Sequence, residues 1–225
     1  PTQGQWRQMM PKHEIGPCFA ARSEPDGQVW IGAWNGLYSA TGSTLKRAPE
    51  IDQPITAVCA QQQGILCLGP DGMWIKSGGD WQEKPLPYSR QIRALLPDSE
   101  GGYWIATGMG LYYQSSTRTQ LFQSERDLLS PNLTDLAYDA HDRLWIGGLG
   151  GITVFQAQRR VAHFTPAEGL PSIDVQAVTR APDGSMWVGT KIGIARFDGR
   201  SWSLRHSRRW LLHDDVRDIA FAQDG

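Results

Sequence analysis

LPSIDVQAVTRAPDGSMWVGTKIGIARFDGRSW, residues 170–202, is the stretch whose reading decides the fold. Val175 to Ala181 alternates apolar and polar side chains, Asp183-Gly184 is a turn dipeptide, Met186-Trp187-Val188-Gly189 is a second short apolar run, and Ile192 to Phe197 is a third. After Asp198-Gly199 a fourth run, Ser201 to Arg205, carries Trp202. Four short strands joined by tight turns predict one antiparallel meander.

The pattern returns along the chain. Val175, the first inward apolar residue of the first strand, lies twelve positions before Trp187 in the second. The same interval separates Cys18 from Trp30, Ile92 from Trp104 and Leu133 from Trp145. In the weakest copy it separates Ile55 from Cys67, so Cys67 is expected to stand in for the Trp. The anchors at 30, 67, 104, 145 and 187 are spaced by 37, 37, 41 and 42 residues. A period of that size, with a Gly turn and a strand Trp, predicts an all-β protein, a β-propeller of four-stranded antiparallel blades. The predicted blades are 17–47, 54–84, 91–123, 132–164 and 174–205, with the start of a sixth at 215–222. Gln5-Trp6-Arg7-Gln8, within 5–9, matches the fourth strands around Trp81 and Trp202 and is expected to be an orphan outer strand completing a blade at ring closure. Residues 1–225 then form a single, incomplete propeller domain, five complete blades plus parts of a sixth, a fragment of a ring of six to seven or more blades.

The second strands and their turns read VWIGAWNGLYS at 29–39, YWIATGMGLYYQ at 103–114, LWIGGLGGITVF at 144–155 and MWVGTKIGIARF at 186–197. With the LPS lead-in and an apolar close, these copies resemble the two-component-regulator propeller repeat. The resemblance covers roughly residues 5–225, with four clear copies; ILCLGPDGMWIKSG at 65–78 departs from it. It implies a periplasmic or otherwise extracytoplasmic sensor propeller of a hybrid two-component or diguanylate cyclase receptor. It also admits homodimerisation through the full-length receptor.

Composition excludes several classes. A net charge of −1 offers no basic face for a nucleic acid, so none is expected as a partner. No run approaches the length of a membrane span, and this segment is expected to make no membrane contact itself. With 25 Gly and 14 Pro in 225 residues, the core must be built from short elements between many turns. The three cysteines fit no zinc spacing. Cys59 is expected nearly opposite Cys67, as Thr179 is opposite Trp187, where a disulfide and two buried thiols are both open readings. Cys18 is expected to fill core.

The repeated Trp residues are expected to pack between blades, and the Gly after each to serve its turn. Function is sought where the copies differ. First strands line the channel of a propeller, and the side chains there read Phe19, Thr56, Arg93, Thr134, Gln176 and Arg217, followed by Ala20, Ala57, Ala94, Asp135, Ala177 and Asp218. On the loops of the same face Trp34 stands out, and Lys191 holds the same place in the last copy. The candidate ligand-binding residues are therefore Trp34, Arg93, Asp135, Gln176, Lys191, Arg217 and Asp218, with the loop Arg208–Asp215 beside them. The arginines suit a carboxylate or sulfate on a sugar, and Trp34 a stacked ring. The same charges could instead pair and hold blades together. His213, Asp214 and Asp215 are adjacent on one loop and do not converge, so no metal or other cofactor is expected.

Two functions follow. One is a non-catalytic, extracytoplasmic ligand-sensing propeller of a bacterial signal-transduction receptor, whose partner is a small molecule or an oligosaccharide. The other is a carbohydrate-active enzyme, a polysaccharide lyase or glycoside hydrolase, for which Asp135 and Asp218 would be the carboxylate pair. No nucleophile–base motif is present, so a catalytic set is not assigned.

Overall fold

The computed structural model describes residues 15–24, 26–61, 64–70, 72–77, 79–85, 92–115, 117–123, 125–206 and 211–221. They form five four-stranded antiparallel sheets, each a meander of consecutive strands. Blade one comprises β1 (Cys18–Ser23), β2 (Val29–Ala33), β3 (Gly36–Thr41) and β4 (Thr44–Arg47); blade two comprises β5 (Ala57–Gln61), β6 (Gly64–Leu68), β7 (Gly72–Ser77) and β8 (Asp80–Pro85). Blade three comprises β9 (Ile92–Pro97), β10 (Tyr103–Thr107), β11 (Gly110–Gln114) and β12 (Thr119–Phe122). Blade four is β13 (Leu133–Tyr138), β14 (Leu144–Gly148), β15 (Gly151–Gln156) and β16 (Arg159–Phe164); blade five is β17 (Val175–Arg180), β18 (Met186–Thr190), β19 (Gly193–Phe197) and β20 (Trp202–Arg205). These are the blades of a β-propeller. The proposed outer strand at 5–9 and the loop residues Arg208, Arg209 and Trp210 lie outside the described residues. Two compact units divide the chain, Pro1–Ile92 and Arg93–Gly225.

In the second unit, Trp145 of blade four is 1% exposed and meets Phe197 and Trp202 of blade five at ring-centroid distances of 5.7 and 6.2 Å. Trp104 meets Phe155 of blade four edge-on at 6.2 Å. In the first unit, Trp30 meets Trp81 of blade two at 5.8 Å. Each indole thus lies on the seam with the following blade, where large aromatic area is removed from water.

The glycine two positions after the Trp does not serve a turn, as expected from the sequence, but a close approach. A Cβ on Gly32 would lie 2.5 Å from the carbonyl oxygen of Ile55, and one on Gly189 would lie 2.7 Å from that of Val216. The following first strand therefore needs a bare backbone at this point. Val216 donates its N–H to the Thr190 carbonyl at 3.0 Å, as Ile55 does to Ala33 at 2.9 Å. Residues 215–220 have no assigned strand, yet Val216 docks on blade five as Ile55 docks on blade one.

Blade two corrects the sequence alignment. Cys59 pairs with Leu66 and Val58 with Cys67, whereas Thr179 pairs with Trp187 and Val178 with Val188. The position equivalent to Trp187 is therefore Leu66, fully buried, and Cys67 occupies the Val188 position facing blade one. The cause is the first hairpin: Ala60 and Ile65 pair five residues apart, where Arg180 and Met186 pair six apart. Because side chains alternate across a strand, Cys59 and Cys67 point to opposite faces. Neither is bonded in a disulfide, and the disulfide reading falls. Burial pushes the Cys67 thiol up to about 12 and raises that of Cys59 as well. Cys18, expected in the core, is exposed. Its equivalents Ile55 and Val175 are each buried against a preceding blade, and among the described residues of its own unit no blade precedes blade one.

Candidate functional site

The bulges of the first strands decide which side chains leave the ladder. Pairing skips from Leu133 to Asp135 in blade four and from Val175 to Ala177 in blade five, so Thr134 and Gln176 are the bulged residues. A bulge re-aims its side chain. Thr134 donates from Oγ1 to the Val175 carbonyl at 2.8 Å, and Gln176 donates from Nε2 to Asp215 Oδ1 at 2.6 Å.

Asp135 works across a blade seam. Its Oδ1 accepts the Leu136 N–H at 2.8 Å, and its Oδ2 accepts the Val178 N–H of blade five at 2.7 Å. Asp218 repeats the first half of this arrangement, its Oδ1 accepting the Ile219 N–H at 2.8 Å. Arg93 is exposed on β9. Trp34 belongs to the first unit, where it is 61% exposed in the β2–β3 turn and lies 6.4 Å from the Phe19 ring.

Gln176, Lys191 and Arg217 come together, with Asp215 from the loop the sequence reading placed beside them and with Asp174, which it left out. Lys191, in the β18–β19 turn, places Nζ 2.6 Å from Asp174 Oδ2. Arg217 donates to Asp215 Oδ2 from Nε at 3.1 Å and from Nη2 at 3.0 Å, while the Asp215 N–H donates to His213 Nδ1 at 3.1 Å. The hydrogen bond from Gln176, then that from Arg217, holds the Asp215 carboxyl below its ordinary value. The Asp174 hydrogen bond and charge raise Lys191, and Asp215 adds to that. The cations face outward, with side-chain exposures of 61% for Lys191 and 80% for Arg217, against 32% for Asp174 and 24% for Asp215. Among the described residues no group of three potential metal ligands is gathered.

The other end of blades four and five carries a cleft of about 270 Å³, lined by the β13–β14, β17–β18 and β19–β20 turns. Its charged groups are engaged in the turns themselves. Asp139 accepts from Trp145 Nε1 at 3.0 Å, Arg143 Nε at 2.7 Å and the His141 and Arg143 N–H groups at 2.8 and 3.0 Å. Burial alone would raise this carboxyl, but those hydrogen bonds outweigh it and hold it below the ordinary range. Asp183 binds Ser185 and Arg196 and is held down at about 2, chiefly by the Ser185 hydroxyl.

Residues 169–191 match the family model of the two component regulator propeller, so blade five carries that repeat from its lead-in to Lys191. A comparison with curated proteins finds no match. Among solved structures, the chain is similar to one described as the extracellular domain of a hybrid two component system from B. thetaiotaomicron. The two are 16% identical, with a TM-score of 0.74 over 92% of this chain and 30% of that one. A second such domain from B. thetaiotaomicron is 13% identical, with a TM-score of 0.64 over 98% and 37%. Virginiamycin B lyase from Staphylococcus aureus is 11% identical, with a TM-score of 0.70 over 85% and 70%. The chain thus spans about a third of the length of the two-component domains it resembles. At these identities the likeness is one of fold, a β-propeller. No helix among the described residues is long and apolar enough to cross a membrane.

Proposed function

We propose that this chain is part of an extracytoplasmic propeller that senses an anionic ligand for a bacterial signal-transduction receptor and performs no chemistry of its own. The observation that carries this reading is the outward-facing pair Lys191, in the β18–β19 turn of blade five, and Arg217, in the segment that follows that blade, each held by a less exposed carboxylate. Such pre-set cations can bind a carboxylate or sulfate without first being ordered. The matched repeat and the two-component domains among the structural neighbours support the sensor role and the extracytoplasmic location.

The test is calorimetric titration of the full chain with tetragalacturonate and with a sulfated chondroitin tetrasaccharide. Removal of one charge-assisted contact in Lys191→Ala or Arg217→Ala is expected to weaken binding about tenfold or more. Unchanged affinity in both variants, with folding intact, overturns the reading.

The virginiamycin B lyase among the structural neighbours shows that a propeller of this kind can carry an enzyme, which leaves open a second reading, the carbohydrate-active enzyme. Asp135, one of its two candidate carboxylates, already accepts two backbone N–H groups. Formation of an unsaturated uronate from polygalacturonate, followed by ultraviolet absorbance, would establish that chemistry.

A further inference from the structure

The blades share a feature that packing does not require. The turn between the second and third strands carries an exposed large apolar residue in blade three (Met109, 63% exposed), blade four (Leu149, 46%) and blade five (Ile192, 47%). Ile173, in the lead-in to blade five, is 48% exposed. Three of these are contiguous. Leu149 bridges to Asp174, the Gly150 N–H donates to the Ile173 carbonyl at 2.8 Å, and Lys191, next to Ile192, reaches Asp174. The backbone thus brings the exposed residues Leu149, Ile173 and Ile192 next to the Asp174–Lys191 pair, with Arg217 among the charges that Lys191 feels. The result is an apolar patch with a cationic rim. Such patches on soluble domains mark contact surfaces.

We infer that this patch docks an acidic polypeptide segment bearing apolar side chains, the apolar groups covering Leu149, Ile173 and Ile192 and the carboxylates meeting Lys191 and Arg217. The inference rests on the proposed binding role of this face and commits its partner to a class. Two observations select that class. Each cation is more exposed than the carboxylate that holds it, so the outermost charge of both pairs is positive and complementary to negative charge. The exposed apolar groups of this unit's turns are aliphatic or thioether side chains, which suit the side chains of a peptide, whereas sugar rings favour flat aromatic faces.

The experiment is fluorescence anisotropy of the full chain with labelled peptides of equal length, one alternating Glu and Leu, one Glu and Ser, one Lys and Leu. The Glu/Leu peptide is expected to bind about tenfold or more tightly than Glu/Ser, since burying even one apolar side chain is worth that much, and the Lys/Leu peptide is expected not to bind. Ile173→Ser and Ile192→Ser should each weaken Glu/Leu binding about tenfold with the melting temperature unchanged, both sites being half-exposed. Equal affinity for Glu/Leu and Glu/Ser overturns the inference, and that comparison needs no variant. If tetragalacturonate binds through Lys191 and Arg217 while the two acidic peptides are indistinguishable, the sensor reading stands and the polypeptide partner falls. If no anion of either kind binds, both fall.

Discussion

In blade four the second-strand indole, Trp145, fills the seam toward blade five and hands its Nε1–H to Asp139; in blade two the equivalent position holds Leu66, and the indole is Trp74 on the third strand, facing blade one. Trp74 lies opposite Cys67, where blade five has Ala195 opposite Val188. Blade two has thus moved its aromatic volume from one face and strand to another. What a propeller seam demands is filled volume at interior density, and it does not matter which strand supplies it.

The comparison breaks most readily by truncation. Trp145→Ala and Trp74→Ala should each cost about 3–5 kcal/mol of stability, measured by chemical denaturation, because each empties a seam. A Trp74→Ala variant that melts like the parent would mean that the blade-two indole is ornament and that the seam is filled otherwise.

A smaller effect is expected at the latch peculiar to blade four. Asp139→Asn keeps the shape but leaves the Trp145 and Arg143 donors poorly matched, at a cost of about 1–3 kcal/mol. The Asp139 carboxyl is lower in the folded chain than unfolded, so its contribution is fully present above the ordinary carboxylate value of about 4 and is lost as pH falls through the folded value. The stability gap between parent and variant should accordingly hold from neutrality to about pH 5 and close in stronger acid. A gap that widens on acidification would contradict the latch.

The smallest effects belong to the cysteines. Cys67→Ala removes one sulfur from a seam that Trp74 dominates and should cost only about 1 kcal/mol. In the folded protein a thiol-labelling reagent at mildly alkaline pH should modify Cys18 and spare Cys59 and Cys67, which are buried and held protonated. Rapid labelling of Cys67 would contradict its burial in the seam.

The twelve-residue interval from Val175 to Trp187 carried most of the fold, since blade geometry forces the same hairpin to recur. It failed at Ile55–Cys67 because a single residue lost from a turn shifts every later side chain to the other face, and Cys and Leu side by side do not reveal which one faces which way. Gln176, Lys191 and Arg217 were legible as departures from the repeat. Asp215 was legible only as part of a loop, and Asp174 not at all, because a lead-in carboxylate acquires its meaning only when folding brings it to a cation from another turn, as it brings Asp174 to Lys191. The exposed Leu149, Ile173 and Ile192 were not legible as a group, because residues from separate turns become neighbours only when blades four and five pack.

The account turns on a division between positions that pack blades and positions that face a ligand, and thermal melting with and without saturating tetragalacturonate tests it most directly. Trp74→Ala should lower the melting temperature and keep the upward shift on adding ligand, whereas Arg217→Ala should keep the melting temperature and lose the shift. If Arg217→Ala instead melts as low as Trp74→Ala and retains the ligand shift, the cluster on blade five is a structural clasp and the division is wrong.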